Sequence, residues 1–175
     1  MSRSLYQCLL GPEFGTLSPA LKRLHGGRGV TSAAGRLDIE TDGTWLGMVL
    51  GRLLGLPRAE KNVNVRLTVR SEHDGERWER WLGSKRFVSW QKRRGDMFIE
   101  SFGRLAVGFE LVASEGGLRF VQRRTWWLRL PWPRRLGPRV EAAETPAADG
   151  WKVDIRLALP LFGPLLRYHG VMRQE

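Results

Sequence analysis

Apolar and polar residues alternate in short segments from Val63 to Leu130, and turn residues separate these segments at nearly even intervals. In the first segment, apolar side chains occupy every second position from Val63 to Val69, which is typical of a strand with one buried face. The turn sequences are Asp74-Gly75, Gly83-Ser84, Gly95-Asp96, Gly103 and Glu115-Gly116-Gly117. Turns of this kind join antiparallel neighbours, so the region is predicted to form a meander.

Further strands are predicted outside this meander. The segments Val30 to Glu40, Arg139 to Thr145 and Trp151 to Leu159 show the same alternation, most cleanly in the last of them. The tail contains Gly163-Pro164 and is predicted to bend there before a short final strand.

Two short helices are predicted near the N-terminus. The segment from Ser4 to Leu24 is predicted to be helical in two pieces, the second of which begins at Ser18-Pro19 with serine as its cap. Residues Gly43 to Pro57 carry apolar side chains at helical spacing. With roughly nine strands, the pattern predicts an α+β, mainly β fold. We expect one curved antiparallel meander that closes toward a barrel, lipocalin-like or helix-grip-like. The length suits a single domain over residues 1–175.

The charge balance is strongly basic. The 29 Lys and Arg residues against 18 Asp and Glu give a net charge of +11, which favours phosphates, nucleic acid or an anionic membrane surface as partners. The alternative is a compositional origin, because high-GC genomes favour arginine. Any membrane contact is expected to be peripheral, since no stretch reaches the ~18 apolar residues of a spanning helix.

Cysteine content and the N-terminal residues bear on the compartment. Cys8 is the single cysteine, so no disulfide framework forms within the chain, as is usual in a reducing environment. Residues Met1 to Gly15 lack the basic region, apolar run and cleavage site of a signal peptide. We therefore expect a cytoplasmic protein.

Polar residues interrupt the apolar face of the longest predicted strand, Leu118 to Leu130. If this face points inward, Gln122 and Arg124 are polar anchors in a cavity. If it points outward, the protein has a solid core with arginine on its surface. The predicted ligand-binding residues are Gln122, Arg124, Trp126, Arg139 and Tyr168.

The histidines and their neighbours are the other candidates for chemistry. His25 is interpreted as a helix C-terminal residue that caps the last carbonyls; the alternative is a general base or an anion contact. Arg167 and His169 share one face of the last strand and Tyr168 points to the other, so Tyr168 is the inward candidate if Arg167 and His169 face solvent. A polar site is considered for His25, Arg167 and His169. The histidine spacing fits no metal site, no catalytic residue is assigned, and no cofactor is expected.

Tryptophan and arginine occur together in several predicted strands, for example at Trp78, Trp81 and Trp90. Aromatic rings and arginines on a sheet are used by platforms that bind single-stranded nucleic acid. In the alternative, the tryptophans fill the core and the arginine stems cover the outer surface.

Several segments occur in an order that is also found in a known family. They are Leu9-Leu10-Gly11, Pro19-Ala20-Leu21, Gly51 to Pro57, Glu100-Ser101-Phe102-Gly103 and Leu159-Pro160-Leu161. Over nearly its whole length the chain resembles the DUF4166 family, a domain of unknown function that also occurs fused to NAD(P)-binding, saccharopine-dehydrogenase-like reductase domains. The resemblance implies an accessory role beside a reductase. The chain itself has no Gly-x-Gly-x-x-Gly fingerprint for a dinucleotide.

Three functional hypotheses follow. The leading one is a barrel-like domain that binds an apolar or amphiphilic small molecule, more a binding protein than an enzyme. The second is a basic, aromatic sheet that binds single-stranded nucleic acid. The third is an enzyme, which an internal pair of titratable side chains within hydrogen-bond reach would favour.

Overall fold

Two short helices begin the described part of the chain. The computed structural model describes residues 3–41, 57–133, 135–160 and 162–175. Helix α1 spans Leu5–Leu10, a 3₁₀ helix follows at Gly11–Thr16, and α2 spans Pro19–Gly26. The side chains of Ser4 and Ser18 accept hydrogen bonds from the first turns of α1 and α2. The predicted helix start at Ser18-Pro19 is therefore confirmed.

The other predicted helix, Gly43 to Pro57, lies outside the described residues except for Pro57. Among the helices in the described ranges, none is long and apolar enough to cross a bilayer.

Strands make up most of the remaining described chain. They are β1 (Val30–Thr41), β2 (Glu60–Glu72), β3 (Gly75–Leu82), β4 (Lys85–Arg94), β5 (Met97–Phe102), β6 (Leu105–Ser114), β7 (Gly117–Trp127), β8 (Leu130–Pro131), β9 (Arg139–Ala147), β10 (Gly150–Leu159) and β11 (Gly163–Gln174). The predicted turns separate them. Glu115 and Gly116 both have positive φ, 52° and 76°, as a two-residue type I′ hairpin requires.

The described strands close into an antiparallel barrel. Their order is β6-β5-β4-β3-β2-β1-β11-β10-β9-β7, and β7 also pairs with β6. The two-residue strand β8 pairs with the end of β7 and stays outside this ring. The predicted mainly β fold, a curved meander closing toward a barrel, is therefore confirmed.

The last strand is longer than its pattern predicts. The tail is predicted to be a short strand because Gly163-Pro164 breaks the alternation, whereas β11 extends over 12 residues. It pairs with β1 on one side and β10 on the other, and bonds on both edges keep it extended. At Gly35 and Gly170, β1 and β11 lie so close that a Cβ atom would collide with the opposite backbone.

The two helices close one end of the barrel. Helix α1 packs against β4 and β6, and α2 packs against β10 and β11. Tyr6 of α1, and Leu21 and His25 of α2, are fully buried there. Strands β5 and β6 are antiparallel neighbours, and the turn at Gly103 joins them. This turn lies at the end of the barrel opposite the helices.

Strand β7 departs from both neighbours near its middle. Arg124 pairs with Gly108 of β6 whereas Gln122 pairs with the next residue along, so Arg123 forms a β-bulge. Opposite β9, pairing covers only residues 118–120 of β7. The bulge shifts the alternation by one residue, and the lost pairing with β9 leaves a gap in the barrel wall beside Gln122.

Candidate functional site

Polar and titratable side chains point into the barrel, among its apolar core residues. On β3, Glu76 and Arg80 share the inward face with buried Trp78. On β5, Glu100 shares the inward face with fully buried Phe98. The interior cluster, as it is named below, consists of Tyr6, His25, Glu76, Arg80, Ser89, Gln91, Glu100, Glu144 and Tyr168.

The carboxylate of Glu100 is the centre of a hydrogen-bond network. Its Oε1 atom accepts bonds from Arg80 at 2.9 Å, Ser89 at 2.7 Å and Gln91 at 3.2 Å. Arg80 also donates to the Ser89 hydroxyl at 2.8 Å. The Tyr6 hydroxyl donates to Gln91 at 2.9 Å. The network therefore connects strands β3, β4 and β5 to α1.

A second contact, between His25 and Glu144, connects α2 to β9. Nε2 of His25 lies 2.6 Å from Oε2 of Glu144. The buried imidazole also lies against Tyr6, with ring centroids 3.9 Å apart. Its Nδ1 atom has no hydrogen-bond partner within the described residues. An internal titratable pair of the kind that favours the enzyme hypothesis is thus present.

Burial governs the protonation of the interior cluster. It raises the pKa of Tyr168 to about 12 and the pKa of Tyr6 well above its ordinary value. Burial also raises the pKa of Glu76, against a hydrogen bond from Trp78. Burial lowers the pKa of Arg80, but the carboxylate of Glu100 together with Tyr168 and Tyr6 outweighs this effect, and the pKa is raised. Both tyrosines are therefore neutral, and Arg80 is charged, at neutral pH.

The interior cluster borders a small cavity of about 80 Å³. At ~30 Å³ per molecule, this volume holds roughly two or three waters. The polar part of its wall comprises Tyr6, Arg80, Gln91, Glu100, Glu144 and Tyr168. Ligand pockets usually measure about 300–1,000 Å³, so this cavity has room only for a small molecule or for one end of a larger one.

A larger depression lies on the outside of the barrel, where β7 and β9 separate. This β7–β9 cleft has a volume of about 930 Å³, which is in the usual range for ligand pockets. Its apolar lining includes Phe120, Val121, Pro138, Val140 and Ala142. Its basic lining consists of Arg119, Arg123, Arg124, Arg135, Arg139 and Arg156.

Gln122 bridges the gap between β7 and β9 at the base of the cleft. Its Nε2 atom donates to the Pro138 carbonyl and to the Thr125 hydroxyl, each at 2.8 Å. Its Oε1 atom accepts from the Val140 amide at 2.7 Å. The side chain thereby replaces backbone bonds that the two strands no longer make to each other.

The arginine charge in the cleft is only partly neutralised. Arg123 pairs with Glu110, and Arg156 pairs with Asp154. The other arginines of the cleft have no ion pair in the part of the chain that the structure describes; they are Arg119, Arg124, Arg135 and Arg139. The cleft therefore combines an apolar surface with uncompensated positive charge.

The predicted ligand residues are divided between these two regions. The cleft is lined by Gln122, Arg124 and Arg139, whereas Tyr168 lines the interior cavity. Trp126 lines neither of them. Because of the bulge at Arg123, Trp126 lies on the outer face, so close to Gly108 that an added Cβ would collide with its ring.

The three residues considered as a polar site do not come together. His25 belongs to the interior cluster, where it binds a carboxylate instead of capping the last carbonyls of α2. Arg167 and His169 lie on the outer face of β11. There Arg167 donates two bonds to Asp154, at 2.9 and 3.0 Å, and His169 lies 3.2 Å from Glu40. The hydrogen bonds from Arg167 lower the pKa of Asp154 to about 2.

Sequence reasoning missed most of the interior cluster, although a signal was present. Glu76 and Arg80 alternate in phase with Trp78, and Glu100 alternates in phase with Phe98. A polar residue on an apolar strand face is the criterion that selects Gln122 in β7. Applied to β3 and β5, the same criterion selects Glu76, Arg80 and Glu100.

Within the described residues, no group of three or more His, Cys, Asp or Glu side chains is placed to hold a metal ion.

Comparison with known proteins identifies a family. A family model described as "Domain of unknown function (DUF4166)" matches residues 17–172. Neither the curated proteins nor the solved structures include a match to the chain. The matched residues contain the whole lining of the β7–β9 cleft and all of the interior cluster except Tyr6.

Proposed function

The chain belongs to the DUF4166 family, and we propose that it binds an anionic amphiphile, an apolar small molecule with a carboxylate or phosphate group, in the β7–β9 cleft. The observation that carries this proposal is the position of four arginines, none in an ion pair with a described residue, around an apolar surface of ligand size. Gln122, Arg124 and Arg139, three of the five residues predicted to bind ligand, line that surface.

The apolar part of the cleft supports the amphiphile's tail. Phe120, Val140 and Ala142 line both the cleft and the interior cavity, so the wall between the two is apolar. Burial of an alkyl chain contributes roughly 25 cal/mol for each Å² removed from water. A tail of several methylene groups on this surface therefore supplies a large share of the binding free energy.

The arginines support the anionic group. Six arginines and two acids, Glu141 and Asp154, line the cleft, so positive charge is in excess. A guanidinium binds carboxylate and phosphate oxygens through paired hydrogen bonds, which are stronger than neutral ones. Arg124 at the bulge and Arg139 at the start of β9 belong to the two strands that flank the gap, and the proposal assigns both to the head group.

Isothermal titration calorimetry with dodecanoate and dodecyl phosphate tests the proposal. We expect Arg124→Gln and Arg139→Gln each to weaken binding about tenfold or more, because a hydrogen bond to a charged group contributes about 1.5–3 kcal/mol. Arg70→Gln is the matched control, since Arg70 is an exposed arginine of β2 outside the cleft. It removes the same charge and should leave binding unchanged.

Two results would overturn the proposal. One is the absence of binding by both probes. The other is equal affinity for neutral dodecanol, or equal weakening by Arg70→Gln, because either would show that the cleft arginines do not recognise the anion.

A single-strand nucleic-acid surface is the second candidate, and the exposure of two tryptophans favours it. Trp81 and Trp90 lie on the outer face, 41% and 45% exposed. The nearby Glu79, however, pairs with Arg77 and Arg86, which reduces the positive charge available to phosphates. Binding to oligo(dT) that falls steeply with salt and is lost in Trp81→Ala and Trp90→Ala would support this function. The accessory role beside a reductase stays a prediction from the family resemblance.

A further inference from the structure

We propose that the interior cavity is a second binding site, independent of the cleft, that takes the ammonium group of a primary alkylamine. The polar wall of this cavity differs in sign from the cleft, since carboxylates instead of arginines predominate. The proposal rests on the charge count, the open hydrogen-bond acceptors, the shape of the cavity and its connection to solvent.

The interior cluster has more acidic than basic groups. Glu76, Glu100 and Glu144 face one guanidinium, that of Arg80, and one imidazole, that of His25. The cluster thus has three carboxyl groups against two basic groups, and two of the carboxyl groups, those of Glu100 and Glu144, line the cavity. A buried excess charge is costly unless a counter-charge accompanies it. The interior is therefore suited to one more cation.

The cluster also has acceptors that remain open. Glu100 uses Oε1 for all three of its hydrogen bonds, and Glu144 uses Oε2 for His25. Within the described ranges, the second oxygen of each carboxylate and the hydroxyl of Tyr168 have no hydrogen-bond partner. All three side chains line the cavity, and Glu144 is only 8% exposed. An ammonium group carries three donors, which matches three acceptors.

The size and the remaining walls select a small head with an apolar tail. A volume of about 80 Å³ accommodates an ammonium group with its first carbons. Trp78, Phe109 and Phe120 contribute ring surfaces to the wall, and rings stabilise an adjacent cation. Phe102 also lines the cavity and is 39% exposed, so the cavity meets solvent beside it, and an alkyl chain extends outward there.

Methyl NMR of the wild-type protein provides the first test, with butylammonium as the probe and 1-butanol as its neutral counterpart. Val107 and Ile155 line the cavity and do not line the cleft. We expect their methyl signals to shift saturably with butylammonium and not with the same concentration of 1-butanol. No shift with butylammonium, or an equal response to 1-butanol, would overturn the proposal, because the cavity would then hold water alone or accept any apolar molecule.

Two glutamate variants provide the second test. Glu144→Gln keeps an oxygen for His25 but removes the charge, and we expect it to weaken butylammonium binding at least tenfold. Glu110→Gln is the control, because Glu110 lies outside the barrel in an ion pair with Arg123; its affinity should equal that of the wild type. Equal weakening in both variants would refute the interior site. If Glu144→Gln fails to fold, the wild-type comparison of amine and alcohol still decides.

Discussion

The interior cluster contains an arginine–glutamate pair, and Arg123 of the β7–β9 cleft forms another with Glu110, outside the cleft; the two pairs differ in their surroundings. The side chains of Arg80 and Glu100 are 17% and 13% exposed, and Ser89 and Gln91 bind the same carboxylate oxygen. The side chains of Arg123 and Glu110 are 51% and 50% exposed. A buried charge needs a partner because water cannot solvate it, whereas an exposed charge does not. For this reason, the interior has a fixed network, whereas four arginines of the cleft have no acidic partner among the described residues.

The two regions also differ in the polar groups that remain free to bind a ligand. In the interior, most donors are already used, and the groups without a partner among the described residues are carboxylate oxygens, one tyrosine hydroxyl and Nδ1 of His25. In the cleft, four guanidinium groups lack an acidic partner among the described residues. The two proposals therefore assign a cation to the interior and an anion to the cleft, although one apolar wall separates the two regions.

The largest expected effect comes from breaking the buried pair. Arg80→Met should lower the free energy of unfolding by about 3–5 kcal/mol, because it leaves the Glu100 charge buried without its cation. Arg123→Met, the matched change in the cleft, should cost less than about 1 kcal/mol. Urea denaturation of both variants measures the difference. Equal losses would mean that burial does not distinguish the two pairs.

An intermediate effect is expected at the boundary between the two regions. Gln122→Ala leaves the Val140 amide and the Pro138 carbonyl without their partner and should cost about 1–3 kcal/mol. Hydrogen exchange should show faster exchange of the Val140 amide. In Gln122→Glu the acceptor for that amide is retained, so its protection should largely return. An unchanged Val140 exchange rate in Gln122→Ala would show that Gln122 does not seal the wall.

The smallest expected effect is a pH dependence at Glu76. Burial raises the pKa of Glu76 in the folded state above its ordinary value of 4.5. The ionised carboxylate thus destabilises the fold at a pH above the folded pKa, and this penalty disappears as the pH falls toward 4.5. Glu76→Gln, which is neutral at every pH, should have a higher Tm than the wild type at pH 8 and no advantage at pH 4.5.

The hydrogen bond from Trp78 to Glu76 is preserved by the glutamine oxygen in that variant. Glu110→Gln is the surface control and should show no comparable gain at pH 8. A Glu76→Gln protein that is less stable than the wild type at pH 8 would contradict the assigned direction of the pKa.

The local pattern of apolar, polar and turn residues is sufficient to predict most of the fold. The alternation from Val63 to Val69 and the turn at Glu115-Gly116 predict strands and hairpins that the structure confirms. The local pattern underestimates the length of β11, because the extension of this strand depends on hydrogen bonds to β1 and β10 from distant parts of the chain. Local turn residues such as Gly163-Pro164 carry no information about these bonds.

The candidate sites are only partly predictable, because they too depend on pairing between distant strands. Gln122 and Tyr168 were selected because they are polar residues in otherwise apolar surroundings, and both face one of the two regions. Arg124 and Trp126 are predicted to share one strand face with Gln122, but the bulged residue reverses the alternation after it. A bulge depends on the partner strand, so the sequence of β7 does not reveal it.

The sequence by itself determined the strands, the turns, the basic charge and the family, because each depends on residues that are near one another or on their total. Only the tertiary structure decided which polar residues meet. His25 and Glu144 are separated by 119 positions, and Tyr6 and Gln91 by 85; closure of the barrel brings them together. Strand order and the β-bulge decide which polar side chains become neighbours, and both arise from pairing between distant parts of the chain. The acidic interior and the basic cleft therefore appear only in the folded barrel.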